Sequence, residues 1–431
     1  MNIMQSAKAA KKASVYLAAV TPNSKNNALQ LIARELHNNV ALIKQANETD
    51  VERSRKENLP APLLKRLVFD DAKINEVIAG IESLMTLPDP VGKTLLATRL
   101  DDALTLYKVS CPIGVIGVIF ESRPDALVQI STLCLKSGNA VLLKGGSEAR
   151  ETNKILAETI YNAGCKAGMP QQWLTLLETR EDVSAMLKMD DYIDLIIPRG
   201  SNAFVKYIMD NSRIPVLGHA EGICHVYVDS DADMQMALKV VTDAKVQYVA
   251  VCNAAETLLV HNTIAAAFLP LLKQELDKYN VAIVGCEQTQ AIINVNMATD
   301  EDWKTEYLDY KLSIKVVADV DEAINHINTY GSRHTDSIVT ANRETAKKFL
   351  DLVDSGNVFW NCSTRFSDGF RYGFGAEVGI STAKIHARGP VGLDGLVIYK
   401  YKLIGNGDIV ADFVTGNRTF KHKKIDEDCP V

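Results

Sequence analysis

From residue 115 onward the sequence alternates strand-like apolar runs with helix-like periodic segments, and this alternation constrains the fold more than any other feature. Val115–Phe120 is an almost unbroken apolar run, typical of a strand buried on both faces of a parallel sheet. A helical pattern follows over 125–137, and a second strand–helix series runs from 224 to about 365. Such an order indicates βαβ units, so we predict an α/β fold with two doubly wound domains.

Four further segments carry predictions of their own. Residues 27–47 repeat apolar positions at helical spacing, which predicts one continuous helix. The alternation over 102–109 predicts a strand, and the short apolar segment 216–218 predicts another. The polar tail over 421–431 is expected to be mobile.

The composition excludes several classes of protein. The chain has 431 residues, which predicts two or three domains, and a net charge of −6 with no Lys/Arg block, which argues against a nucleic-acid partner. The apolar runs are too short for a membrane span, and the N-terminus lacks the apolar core of a signal peptide. The eight cysteines form no C-x-x-C pair, so we predict a reduced, cytoplasmic protein without disulfides or a structural metal.

A candidate nucleophile lies in the segment VCNAAET at 251–257. Cys252 falls in a short polar break between a helical pattern and a strand pattern, where α/β enzymes carry reactive side chains on loops. Asn253 follows directly, so its side-chain amide and nearby main-chain N–H groups are candidates for an oxyanion site. A buried structural cysteine is the competing interpretation, and Cys362 is a weaker rival nucleophile.

Two strand-to-helix turns are candidates for binding an anionic cofactor. A helix N-terminus presents unsatisfied N–H groups, glycines permit close approach of the main chain, and a basic side chain adds positive charge. Neither turn has the G-x-G-x-x-G pattern, so ordinary turns remain the alternative. The proposed cofactor-binding residues are Lys144, Gly145, Gly146, Ser147 and Glu148 in the first turn, and Arg199, Gly200 and Ser201 in the second.

Further polar clusters are candidates for binding a substrate. Glu121, Ser122 and Arg123 follow an apolar strand, where open α/β sheets bind ligands. A loop near the cysteine offers a possible base, and two later loops offer hydrogen-bonding and cationic groups; an ordinary solvated loop is the alternative in each case. These additional candidates are His219, Glu221, His334, Thr335 and Arg365. His326 and His334 have no soft third ligand beside them, so we predict no metal site.

Taken in order, the motifs resemble the γ-glutamyl phosphate reductase (glutamate-5-semialdehyde dehydrogenase) family of the aldehyde dehydrogenase superfamily. They are PIGVIGVIFESRP at 112–124, LKSGNA at 135–140, KGGSEA at 144–149, VCNAAET at 251–257, and the segment 320–338 with AINHI and HTDSI. The resemblance covers nearly the whole chain. It implies an aldehyde dehydrogenase-like fold with a Rossmann-like cofactor domain, a catalytic domain and a small β oligomerisation arm.

The resemblance also implies a reaction. NADPH would reduce L-γ-glutamyl 5-phosphate to L-glutamate 5-semialdehyde and phosphate, the second step of proline biosynthesis, through a thioacyl intermediate on Cys252. Hydrolytic relatives use a glutamate to activate water, and Glu221 lies near that place, but here water must be excluded. The alternatives are another aldehyde dehydrogenase, hydrolytic or CoA-acylating, and a catalytically silent homologue.

The superfamily fold implies a division of the chain. The NADP(H)-binding domain takes 1–98 and 112–228, the catalytic domain 229–385, the oligomerisation arm 99–111 with 396–415, and a tail 416–431. An edge strand at 397–402 is consistent with a homo-oligomer, a dimer or tetramer. No kinase domain is fused to this chain, so a separate glutamate 5-kinase is the expected source of the acyl phosphate; direct transfer between the two is a hypothesis.

Overall fold

The computed structural model describes residues 2–177, 181–218 and 221–431. The chain divides into two compact units, Met1–Val216 with Gly392–Val431, and Leu217–Val391. The helices are α1 (Ile3–Leu17), α2 (Pro22–Asn38), α3 (Val40–Lys56), α4 (Ala61–Leu67), α5 (Asp71–Thr86), α6 (Pro124–Lys136), α7 (Arg150–Lys166), α8 (Glu181–Met186), α9 (Asn202–Asn211), α10 (Met234–Val246), α11 (Asn262–Asp277), α12 (Glu287–Ile292), α13 (Val320–Tyr330), α14 (Arg343–Leu352) and α15 (Val410–Val414).

The strands run in chain order from the first hundred residues to the C-terminal tail. They are β1 (Thr94–Asp101), β2 (Leu104–Pro112), β3 (Val115–Phe120), β4 (Ala140–Gly145), β5 (Leu174–Leu176), β6 (Leu195–Arg199), β7 (Cys224–Val228), β8 (Ala255–His261), β9 (Ala282–Gly285), β10 (Asn296–Met297), β11 (Lys311–Val317), β12 (Thr335–Val339), β13 (Asn357–Trp360), β14 (Gly379–Ser381), β15 (Gly389–Val391), β16 (Val397–Ile404) and β17 (Lys423–Ile425).

The parallel sheet of the first unit has the order β5-β4-β3-β6. Every residue of β3 and β4 is buried, as the apolar run over 115–120 predicted. The expected strand at 216–218 is wrong, because Val216 makes only an isolated bridge to Ile196. Its neighbour Pro215 accepts a hydrogen bond from the Ile196 N–H but has no N–H of its own with which to extend a ladder.

Of the helices in residues 3–86, α1 packs onto β3, β4 and β5, whereas α2, α3 and α5 pack onto α6, α7 and one another. The single helix expected over 27–47 is instead two helices, because Asn39 ends α2 and precedes α3. The Asn39 side chain donates a hydrogen bond to the Glu35 carbonyl at 2.7 Å, so it competes with the helical backbone pattern at that point.

The first unit also carries an antiparallel sheet with the order β16-β2-β1-β17. The strand expected over 102–109 is confirmed as β2, which pairs with β16 from Thr105 to Pro112. β17 pairs with β1 through Ala97, Thr98 and Arg99. The expectation of a mobile tail is therefore wrong for residues 423–425, which add the fourth strand of this sheet.

The second unit is built on a seven-stranded sheet with the order β10-β9-β11-β8-β7-β12-β13. All its pairings are parallel, and α10 and α11 cover one face around a core that includes Phe268 and Leu272. β7 lies between β8 and β12, whereas the sequence had placed residues up to 228 with the first unit. The division of the chain thus falls before β7, because the register of Cys224–Val228 is set by strands of the second sheet.

Within the described ranges 2–177, 181–218 and 221–431, no helix combines the length and the apolar character that crossing a membrane requires.

Candidate active site

Three strand ends of the first unit meet at one edge of its sheet. In the parallel register Phe120 lies opposite Gly145 on one side and Arg199 on the other. The residues that follow β3, β4 and β6 therefore lie side by side, at the carboxyl edge where open α/β sheets bind ligands. The structure thus brings together the two predicted cofactor turns and the segment 121–123.

The turn after β4 brings main chain close to its neighbours. A Cβ atom at Gly145 would lie 2.2 Å from Asn153 Nδ2, and one at Gly146 would lie 2.1 Å from Glu148 Oε1. Residues 147–149 form a single 3-10 turn that leads into α7. Lys144 is buried, and its ammonium donates to the carbonyl of Gly145. The turn therefore combines a cation and a helix start, which suits a phosphate-bearing cofactor.

Two carboxylates accept hydrogen bonds from main-chain N–H groups at this edge. Glu148 Oε1 accepts hydrogen bonds from the N–H (2.6 Å) and hydroxyl (2.9 Å) of Ser122, whose φ of 47° lies in the left-handed region. Glu121 Oε2 accepts from the Ser201 N–H at 3.1 Å and lies 2.5 Å from where a Cβ of Gly200 would be. Arg123 pairs with Asp125 at 3.4 Å. Negative charge is therefore built into the predicted cofactor site.

In the second unit Cys252 lies on a loop between α10 and β8, as the sequence predicted. Its side chain is partly exposed, so reagents and substrates can reach it. The main chain of Cys252 packs directly on Gly222: a Cβ there would lie 2.1 Å from the Cys252 carbonyl oxygen and 2.5 Å from its Cα. Only glycine leaves room for this approach. Sequence reasoning considered the neighbouring Glu221 but missed Gly222, although a glycine beside a candidate site was a usable signal.

A buried thiol supports the loop from the adjacent strand. Cys224, the first residue of β7, donates from Sγ to the Cys252 carbonyl oxygen at 3.1 Å. Burial raises the pKa of Cys224 well above its ordinary value, and Asp336, Cys252 and Glu256 raise it further, so the thiol keeps the proton it donates. His334 Nδ1 lies 3.7 Å from Cys224 Sγ and 2.8 Å from Thr335 Oγ1. Cys224 is a second residue that the sequence did not single out.

The segment after β13 also contacts the loop. The Asn253 side chain is buried and donates to the Ser367 carbonyl at 2.8 Å, so its amide nitrogen is committed to the fold. Arg365 is almost buried and donates from Nε to Gln247 Oε1 at 2.9 Å. Burial and Arg371 lower the pKa of Arg365, while Cys252 raises it. The charge of the guanidinium and that of the Cys252 sulfur therefore influence each other.

The remaining predicted residues take varied positions. Glu221 is exposed and precedes Gly222. Thr335 is fully buried, and its hydroxyl lies 3.3 Å from the side-chain nitrogen of Asn357. His219 lies outside the described residues. His225 is completely buried and hydrogen-bonds Asp336 through Nδ1 at 2.9 Å.

Burial acts on the thiols of other partly exposed cysteines. Burial raises the pKa of the Cys362 thiol and that of the Cys111 thiol, which lowers their thiolate fraction at neutral pH. All eight cysteines lie in described residues, and none is in a disulfide. Within the ranges that the structure describes, no group of three His, Cys, Asp or Glu side chains is arranged to hold a metal ion.

A sequence model of the aldehyde dehydrogenase family matches residues 1–294. The chain belongs to the aldehyde dehydrogenase family. Members of this family are oxidoreductases that use a nicotinamide cofactor.

Within the aldehyde dehydrogenase family, one relative is the γ-glutamyl phosphate reductase of Pelotomaculum thermopropionicum, 69% identical over 428 residues, which are 99% of each chain. A crystal structure of γ-glutamyl phosphate reductase from Thermotoga maritima has a TM-score of 0.93 at 42% identity, covering 95% of this chain and 100% of that one. An engineered glycolyl-CoA reductase with bound NADP⁺ has a TM-score of 0.62 at 16% identity, covering 93% and 96% of the two chains, and shows the fold alone. The predicted fold and family are therefore confirmed.

Proposed function

We propose that this aldehyde dehydrogenase family member reduces L-γ-glutamyl 5-phosphate to L-glutamate 5-semialdehyde and phosphate. The observation that carries the proposal is the 69% identity with a γ-glutamyl phosphate reductase over 99% of both chains. The accessible Cys252, on a loop held by buried contacts, supports a covalent route for the same reaction.

In the proposed first step, the Cys252 thiolate attacks the acyl carbon of the mixed anhydride. The new C–S bond forms as the C–O bond to phosphate breaks, and phosphate leaves with the electron pair. In this proposal the positive charge of Arg365, whose Nε donates to Gln247, favours the thiolate. The product is a thioester on Cys252, which conserves the energy of the anhydride for the reduction.

The reduction needs a hydride, which NADPH supplies when bound. The residues of the chain then have to hold the thioester, accept negative charge on its oxygen, and release the aldehyde as the thiolate reforms. The Asn253 side chain donates to Ser367, so we assign the oxyanion contacts to main-chain N–H groups of the loop rather than to that amide. Glu221 is kept as a substrate-site candidate and not as a base for water, because hydrolysis of the thioester would waste the intermediate.

For the cofactor we propose NADPH, held by the residues at the carboxyl edge of the first sheet. Lys144 and Arg199 supply positive charge, and Ser147 and Ser201 supply hydroxyl groups at helix starts. Glu148 opposes this preference, because its carboxylate adds negative charge to the same turn. Binding of NADPH thus has to overcome repulsion between its phosphates and the Glu148 carboxylate, and a variant without that charge would reveal the size of the effect.

We further propose that the antiparallel sheet of the first unit is an oligomerisation arm. Its edge strand β16 exposes Tyr399, Tyr401 and Leu403 by 49%, 60% and 56%, which is unusual for large apolar side chains on one strand. Pairing with a second copy, to give a dimer or tetramer, would cover them. A cytoplasmic location and a separate glutamate 5-kinase that supplies the acyl phosphate complete the proposal.

Replacement of the nucleophile tests the proposed route. Cys252→Ala is expected to abolish turnover, since no other thiol is placed to accept the acyl group, and to retain NADPH binding measured by nucleotide fluorescence. Cys362→Ala is the matched control, because burial raises the pKa of that thiol, and it should keep turnover. Substantial turnover by Cys252→Ala would remove the thioester from the mechanism.

A further inference from the structure

The loop that carries Cys252 is closed at its base by a buried ion pair. Lys245 is the last residue but one of α10, and Glu256 is the second residue of β8. Lys245 Nζ lies 2.5 Å from Glu256 Oε2, and both side chains are 0% exposed. We propose that Lys245 and Glu256 are a positioning pair that fixes the path of residues 247–254 and hence the location of the Cys252 sulfur.

The carboxylate of this pair is fixed at both of its oxygens. Glu256 Oε1 accepts a hydrogen bond from the Leu308 N–H at 3.2 Å, so Oε2 is left to face Lys245. Leu308 has a φ of 53°, in the left-handed region that a leucine seldom adopts. Backbone strain is therefore present at the residue whose N–H donates to Glu256.

Stability alone is a weak explanation for such a pair. Burial raises the pKa of Glu256 to about 7 and lowers the pKa of Lys245, so each charge is held against the cost of desolvation. Two apolar side chains of similar volume would join α10 to β8 without that cost. Apolar contacts are not directional, however, so they would not fix the distance between the two ends of the loop as the ion pair does.

The other contacts of the loop show why its ends matter. The Cys252 main chain packs on Gly222 and accepts the hydrogen bond from Cys224, and both partners belong to the segment leading into β7. A shift at either end of the loop would move the carbonyl away from the Cys224 thiol. Because catalysis by a nucleophile is sensitive to displacements near 1 Å, such a shift is expected to lower kcat more than it changes substrate binding.

The decisive variant is the apolar replacement Lys245→Met/Glu256→Leu. It leaves no buried charge without a partner, so the fold is expected to survive, as judged by circular dichroism and Tm. We expect kcat to fall about 100-fold, with KM changing less than about threefold. The rate of Cys252 alkylation by iodoacetamide, measured by peptide mass spectrometry as a ratio to Cys362 in the same sample, should change at least about fivefold.

The matched control is the buried pair Lys25 and Asp89 of the first unit, whose charged atoms are also 2.5 Å apart and whose side chains are 2% and 9% exposed. Lys25→Met/Asp89→Leu removes an equivalent pair away from the loop and should leave kcat and the alkylation ratio unchanged. A folded Lys245→Met/Glu256→Leu protein with unchanged kcat and alkylation ratio would overturn the inference.

A second variant covers a failure of the apolar pair to fold. Glu256→Asp keeps the charge and withdraws the carboxylate by one methylene, so it should shift kcat and the alkylation ratio in the same direction by a smaller factor; no shift in either overturns the inference. The inference rests on the proposed function only in taking Cys252 as nucleophile. If Cys252→Ala stayed active, the proposed route would fail, while the alkylation ratio would still decide the positioning role.

Discussion

Gly222 and Cys252 lie in direct main-chain contact: a Cβ at residue 222 would fall 2.1 Å from the Cys252 carbonyl oxygen, well inside van der Waals distance. The nucleophile loop therefore rests on a residue that has no side chain. Residue 222, in the segment before β7, therefore helps to place the reactive sulfur, and a larger side chain there should displace it.

Gly222→Ala is expected to push the Cys252 main chain away. We expect a loss of about 1–3 kcal/mol in the free energy of unfolding, from overpacking, and a fall in kcat of about 100-fold, from displacement of the sulfur. Urea denaturation and steady-state kinetics measure the two effects. Gly80→Ala is the control: Gly80 lies within α5 with nothing near its Cβ position, so alanine should stabilise slightly and leave kcat unchanged. Equal kcat values for the two variants would contradict the prediction.

His326 should make stability fall in acid. Burial, with smaller effects of His225 and Lys315, lowers its pKa to about 2, so it stays neutral in the fold while the unfolded chain binds a proton below about pH 6.5. The unfolded state then binds more protons in that window, and stability is lost as the pH falls from about 6.5 towards 2. Both ring nitrogens lack a hydrogen-bond partner among the described residues, and the ring packs on Trp303 and Tyr330.

The variant His326→Phe should therefore flatten the pH dependence of stability. Between pH 6.5 and 5.5 the wild-type protein should lose roughly 1 kcal/mol more than the variant does. Urea midpoints at pH 7.5, 6.5 and 5.5 measure this. Any constant cost of fitting the larger ring cancels in the comparison between pH values. Parallel curves for the two proteins would show that His326 takes up a proton as readily in the fold as in the unfolded chain.

The carboxylate of Glu148 should weaken binding of the extra phosphate of NADPH. Glu148→Gln keeps an oxygen to accept from Ser122 but removes the charge, so the ratio of the NADPH and NADH dissociation constants should shift about fivefold towards NADPH. Fluorescence titration with each nucleotide measures it. Glu158→Gln, an equal charge change at an exposed position of α7, should leave the ratio unchanged. Equal shifts for NADPH and NADH would show that Glu148 does not discriminate between them.

The sequence predicted the central elements well because their signals are local. The apolar run at 115–120 and the periodic segment at 125–137 predicted a strand and a helix at nearly the observed bounds. It failed where a single residue decides the outcome: Asn39 divides a periodic segment into two helices, and Pro215 prevents a ladder at 216–218.

The nucleophile was found from sequence, but most of its surroundings were not. Cys252 stood out because a polar break between helix and strand is a local pattern. The contacts that hold it come from Gly222, Cys224 and Ser367, and these depend on strand order and loop paths that no local pattern encodes. The pair of Lys245 and Glu256 was hidden for the same reason, since charged residues at these positions normally suggest exposure.

The most direct test of the account is phosphate dependence of the reverse reaction. NADP⁺ reduction is followed by absorbance with L-glutamate 5-semialdehyde as substrate, with and without phosphate. If a Cys252 thioester is normally released to phosphate, NADPH should accumulate only when phosphate is present. Steady NADPH formation without phosphate would contradict the account, since water would then be accepting the acyl group and Glu221 would return as a candidate base.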